Sequence, residues 1–175
     1  MIIEDEFPDF ERLSHDNLKN AIYNAQIGMQ DDVFTFVSSV TPMVNVDLLV
    51  LNEKGGVLFA WRDDGHNLGW HIPGGIVRFK ETFEERIRKT AEAELGTVVR
   101  FDPEPLKISE IFMPYQRRGH FISFLYRCDI EDNYSITNDV PENTNGFLKW
   151  HYKMPDMIVE GQRCYCDYLR KIYEN

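Results

Sequence analysis

Positive charge is scarce in this chain. Nineteen Lys and Arg stand against 29 Asp and Glu in 175 residues, a formal net charge of −10. A general nucleic-acid binder needs a basic face to displace counterions, so the balance argues against that class. An anionic small molecule still fits, provided a local cation or metal meets it. Cysteine is scarce as well. Cys128, Cys164 and Cys166 make no disulfide framework, and the close pair lacks a second pair or nearby His for zinc. Reduced thiols in a cytoplasmic protein are the favoured reading. No apolar run approaches the ~20 residues of a membrane span, and the acidic opening MIIEDEFPDF is no signal peptide, so no membrane partner is expected. Repeats and low-complexity linkers are missing too. What is present is 43% hydrophobic and 13% aromatic residues, enough for one domain with a core.

Residues 1–39 read as an N-terminal extension with one short helix, SHDNLKNAIYNAQIG, capped at Ser14 and ended by Gly28. Its face of Leu18, Ile22 and Ala25 suits packing or a homodimer contact. Phe34 and Phe36 follow, ahead of the first strand, as packing residues or a cover for a bound base. Residues 40–175 carry the main domain. Two β-type runs, 43–51 and 57–62, flank a turn at Asn52–Gly56, and a short strand, 69–72, leads to Pro73-Gly74-Gly75. A helix follows, with Thr82 and Glu85 spaced as a capping box and Gly96 as its stop. TVVRF, LKISEIFM, HFISFLYRCDI and GFLKWHY read as strands. A last helix, 161–174, carries Cys164, Tyr168 and Ile172 on one side. The order implies an α/β sandwich with a mixed sheet.

One residue disturbs the central helix. At ~100° per residue, Phe83, Ile87 and Ala91 share a face, and Glu94 falls within roughly 20° of Phe83. A carboxylate buried near a helix C-terminus costs several kcal/mol, roughly, through desolvation and the dipole. It is therefore peripheral, paired with a basic group, or bound to a cation.

The spacing around it bears on that choice. Gly75, five residues, Glu81, seven residues and KTAEAELGT resemble the Nudix box, the loop–helix–loop signature of hydrolases of nucleoside diphosphates linked to another group. The resemblance implies an α/β/α sandwich in which Gly74, through its carbonyl, and Glu94 hold Mg²⁺ or Mn²⁺. Lys89-Thr90 and Ala93 stand where the box has Arg-Glu and Glu, so two of three usual metal carboxylates are missing. The ending AELG, with TPMVNVDLLV and LFAWRDDGHNLGWHIPGG, is similar to the GDP-mannose mannosyl hydrolase branch. That branch attacks the sugar's anomeric carbon and releases free sugar and nucleoside diphosphate. Mapped onto it, Asp47 is an active-site carboxylate and Arg62 contacts the leaving diphosphate. Its Gln ligand and His base fall on Thr144, a third metal-ligand candidate, and Asn145, which cannot take a proton at neutral pH.

Substitute bases are Glu142, His120 or Asp47. Arg78, Arg117, His66 and Lys89 are candidate substrate contacts, and Arg118 shares Arg117's turn; for each, a solvated surface role competes. Three functions follow: carbon attack on a nucleotide sugar, a binding module without turnover, and attack at phosphorus.

Overall fold

Alternation of side chains along the central strands builds this protein around two apolar faces. The computed structural model describes residues 15–24, 27–65, 67–131 and 133–174. In chain order these form α1 (His15–Asn24), α2 (Asp31–Val40), β1 (Met43–Val50), β2 (Val57–Asp63), β3 (Leu68–His71), β4 (Gly74–Ile76), α3 (Phe83–Thr90), β5 (Arg100–Phe101), β6 (Lys107–Phe112), β7 (His120–Asp129), β8 (Leu148–His151) and α4 (Cys166–Tyr173).

A mixed sheet has the order β4-β1-β7, with β5 and β6 both pairing the far side of β7. Only β1 and β7 run parallel. The mixed sheet expected from the sequence is joined by a second, antiparallel sheet of order β3-β2-β8. Val46, Leu48 and Val50 of β1, with Leu58 and Ala60 of β2, pack against Ile87 and Ala91. The intervening Leu49, Val57, Phe59 and Trp61 face Tyr165 and Leu169. With period-2 strands, each face of the layer covers one helix, α3 or α4, giving the α/β/α sandwich.

Three local departures from expectation have physical causes. DDVFTFVSSV (α2) is a helix despite its β-branched residues, which disfavour helix. Asp31 and Asp32 sit in its positive first turn, and Asn17 of α1 donates to Asp32 at 3.0 Å. The C-terminal helix begins as a 3₁₀ turn, Glu160–Tyr165, whose tighter winding sends Tyr165 and Leu169 into the core; Cys164, Tyr168 and Ile172 lie partly buried beside them. The Pro73-Gly74-Gly75 turn continues into a strand, β4. The side chains of Ile22 and Ala25 and the Ser14 cap lie outside the described residues. Among the described residues, no helix is long and apolar enough to cross a membrane.

Candidate active site

The capping box fixes where the central helix starts. Thr82 Oγ1 accepts from the Glu85 amide at 3.1 Å, and Glu85 Oε2 accepts from the Thr82 amide at 2.8 Å. Just ahead, Glu81 is 2% exposed and accepts from the Arg78 amide (2.9 Å), Arg86 Nε (2.7 Å) and Lys89 Nζ (2.9 Å). Burial pushes its carboxyl up, but those donors outweigh it and hold the pKa below the usual value. Lys89 is therefore a clamp on Glu81, which revises its expected role as a substrate contact.

The helix ends differently. Residues Ala91–Leu95 wind as a π turn, closed by Gly96 in the left-handed region at φ 66°. The wider turn puts Leu95 into the core with Ile87 and Ala91. Glu94 stands at the border with 28% of its side chain exposed. The wheel therefore overstated its burial: a straight α-helix was assumed, and a π turn changes the phase. Such turns recur at functional sites.

Opposite lies the glycine turn. Leu48 N donates to the Pro73 carbonyl and Val77 N to the Val44 carbonyl. Gly74, paired with Asp47, lies between these rungs. In an antiparallel ladder that position is not hydrogen-bonded across the pair, so the Gly74 carbonyl turns off the edge of the sheet. Gly74 must be glycine: a Cβ there would stand 2.2 Å from Asp47 Oδ1 and 2.8 Å from the Val46 carbonyl.

Asp47 is 1% exposed. Its Oδ1 accepts from Gln162 Nε2 at 3.1 Å. Its Oδ2 accepts from Asn45 (3.0 Å), Tyr165 (2.7 Å) and Ser123. Burial raises its pKa against the lowering pull of Ser123, Tyr165 and Asn45. The expected catalytic Asp47 is thus a sealed strut beneath the turn, with no face open to a sugar.

Arg62 meets the same place from β2. Its Nη2 donates to His71 Nε2 at 3.1 Å, and its Nε lies 3.9 Å from Asp64 Oδ2. Arginine only donates, so His71 Nε2 accepts and the ring proton sits on Nδ1, which is buried without a hydrogen-bond partner. His71 Nε2 is also 3.6 Å from Glu94 Oε2. Arg62, His71 and Glu94 therefore form a row, and the chain runs from His71 through Ile72 and Pro73 into Gly74.

Other expected residues fall elsewhere. Arg78 directs its guanidinium to the Ile27 carbonyl and against Gly28. Glu142 pairs with Lys149 at 2.6 Å on the surface. His120 pairs with Glu110 at 3.2 Å, and with Arg117 it borders a cleft of about 310 Å³ at the end of α2. Arg117 Nε donates there to Ser39 at 3.2 Å. Thr144, expected as a third metal ligand, is exposed in the turn of residues 141–147. That turn does reach the Arg62 strand, where Asn145 Oδ1 accepts from the Asp63 amide at 3.4 Å. His66 lies outside the described residues.

The sequence profile of the NUDIX domain matches residues 41–155. The chain belongs to the NUDIX domain family. The low-salt glycan biosynthesis protein Agl8 of Haloferax volcanii is 36% identical over 102 residues, which cover 58% of this chain. The match spans 56% of that relative's length, a little over half. A UDP-X diphosphatase superposes with a TM-score of 0.57 at 16% identity, covering 94% of this chain and 83% of that one. A MutT NUDIX hydrolase from Burkholderia pseudomallei gives 0.57 at 19% identity, covering 73% and 97%. At those identities the two structures bear on the fold, and the fold is the NUDIX α/β/α sandwich.

NUDIX chemistry implies a divalent metal, and the donors here permit one of limited kind. Among the described residues no three His, Cys, Asp or Glu side chains gather into a cage. One carboxylate and one outward carbonyl suit a Mg²⁺ that keeps several waters and takes phosphate oxygens from its substrate. Thr90, where the box has Glu, leaves a buried hydroxyl without a hydrogen-bond partner. A Cβ on Gly75 would lie 2.6 Å from that hydroxyl, so a small side chain at position 90 lets the NUDIX turn close onto its helix. His71, which links Arg62 to Glu94, was given no role by sequence reasoning. Its only signal was a polar residue among Trp70 and Ile72 in a buried strand end.

Proposed function

We propose that this NUDIX domain hydrolyses a nucleotide sugar with Mg²⁺ (or Mn²⁺), releasing free sugar and nucleoside diphosphate by attack at the anomeric carbon. The observation that carries the reading is the row Arg62–His71–Glu94, joined through His71 to the glycine turn whose Gly74 carbonyl leaves the sheet edge. It offers one oriented cation, one carboxylate and one carbonyl to a diphosphate, and little else. Bound there through Gly74 and Glu94, Mg²⁺ would neutralise charge on the diphosphate.

The remaining work falls to the chain. Arg62 donates to the leaving phosphate oxygens, and a guanidinium aimed in advance stabilises charge as it develops. His71 holds Arg62 by accepting one of its hydrogens, and Asp47 sets the height of the turn from below. Assistance to a leaving group needs fewer acidic ligands than delivery of metal-bound water to phosphorus, which agrees with the thinned box. The name of the Haloferax relative, a glycan biosynthesis protein, is consistent with an activated sugar as substrate class.

A second reading keeps recognition without turnover. Glu142 is engaged by Lys149, His120 by a hydrogen bond with Glu110, and Asp47 is sealed, so among the described residues no expected base stands free for water. Incubating the protein and Mg²⁺ with GDP- and UDP-sugars in ¹⁸O-water separates the readings. Label in the released sugar supports carbon attack, and label in phosphate replaces it with attack at phosphorus. Binding with no product across the screen would establish the module.

A further inference from the structure

Phe34, expected as a packing residue or a cover for a bound base, lies on α2 and does something more specific. The guanidinium of Arg118 lies over the Phe34 ring, 4.3 Å from the centroid. Its Nε is buried and makes no hydrogen bond among the described residues. The charges that act on it are one carboxylate, Asp64, and two further guanidiniums, Arg117 and Arg62. Burial of the group lowers its pKa, and the two arginines lower it further. An acidic protein has thus brought Arg118 within reach of two like charges, one of them the Arg62 that meets His71. A guanidinium nitrogen buried without an acceptor is costly unless a ligand supplies one.

We infer that Arg118, steadied on Phe34, is a second cation for the bound diphosphate, acting with Arg62 across the mouth of the site. The inference rests on the proposed function for its ligand class, a pyrophosphate linkage. Arg62 is oriented from the β3 side by His71, and Arg118 from the α2 side by an aromatic face that leaves its N–H edge free to point at oxygen. Two guanidiniums approaching from different elements would bind a bridging diphosphate better than an isolated phosphate, because each can take a separate phosphoryl group. The N-terminal extension then forms one wall of the site within the same chain.

Inorganic pyrophosphate is the probe, titrated calorimetrically into the full chain with Mg²⁺ at several salt concentrations. Arg118→Gln is expected to weaken binding about tenfold and to flatten the dependence of log Kd on log salt. Arg118→Lys keeps the salt slope while losing part of the affinity, and Phe34→Leu weakens binding by a smaller factor with the slope retained. A merely structural Arg118 would not change the slope. If Arg118→Gln binds pyrophosphate as the parent does while Arg62→Gln does not, this inference is overturned and the proposed site survives. If the parent chain binds no pyrophosphate at all, both are overturned.

Discussion

Glu81 and Glu94 stand at opposite ends of one helix and live in opposite surroundings. Glu81 is almost wholly enclosed and receives hydrogen bonds from one amide and two basic side chains. Glu94 is more than a quarter exposed and has a single neutral imidazole 3.6 Å away. A carboxylate whose acceptor sites are filled can only hold structure together. One left short of donors among the described residues keeps lone pairs that the proposed cation would take. The NUDIX signature contains both, and spacing alone does not tell the strut from the ligand.

The sharpest way to break the contrast is to remove the filled carboxylate. Glu81→Ala leaves Arg86 buried and unpaired, and unfolding in urea should show a loss of about 3 kcal/mol. Glu94→Gln should do the reverse. Its kcat on an identified nucleotide sugar should fall about a hundredfold or more, ~2.7 kcal/mol of barrier, while the urea midpoint barely moves. A Glu94→Gln chain that turns over normally at saturating Mg²⁺ would abolish the distinction.

Acid titration sharpens it further. Because the folded pKa of Glu81 is depressed, its stabilisation is full above the ordinary carboxylate value of 4.5 and disappears as pH falls through the lower folded value. A second acid-sensitive group is carried by β8. His151 packs edge-on to Trp70 at 4.4 Å and Phe59 at 5.3 Å. Burial, with a smaller push from Lys149, lowers its pKa from 6.5 to about 4. The unfolded chain takes up that proton first, so stability should decline as pH drops from 6.5 towards 4 and level off below. His151→Phe should erase that early decline and leave the later one, due to Glu81, in place. At the small end, Glu84→Ala removes an exposed i,i+4 pair with Arg88 and should cost about 0.3–0.5 kcal/mol.

Much of this was legible before any coordinates. Thr82, Glu85 and Gly96 announced the helix boundaries because capping chemistry is local, and the strands followed from runs of Val, Leu, Ile and Phe. Glu94 was legible as an anomaly, although its burial was overstated because the π turn cannot be read from a wheel. α2 stayed hidden because Val33, Thr35 and Val37 favour strand until Asn17 and the core decide otherwise. The fate of Asp47 depends on partners far along the chain, which no spacing rule reports, and Lys89 and Glu142 find theirs, Glu81 and Lys149, across a loop–helix junction and a turn that spacing alone does not close. His71 looked like any residue at a strand end until Arg62 was found 3.1 Å away.

Asp47 owes two of its four side-chain donors, Gln162 and Tyr165, to residues 115 and 118 positions downstream. Proteins are made from the N-terminus onward, so the box loop leaves the ribosome long before its foundation exists. While the tail is still inside the exit tunnel, that carboxylate is short of half its supports and the glycine turn above it is not braced. The nascent polypeptide therefore reaches competence only once residues 162 and 165 have emerged, and a stop before them would yield a product that carries the whole signature over half its foundation.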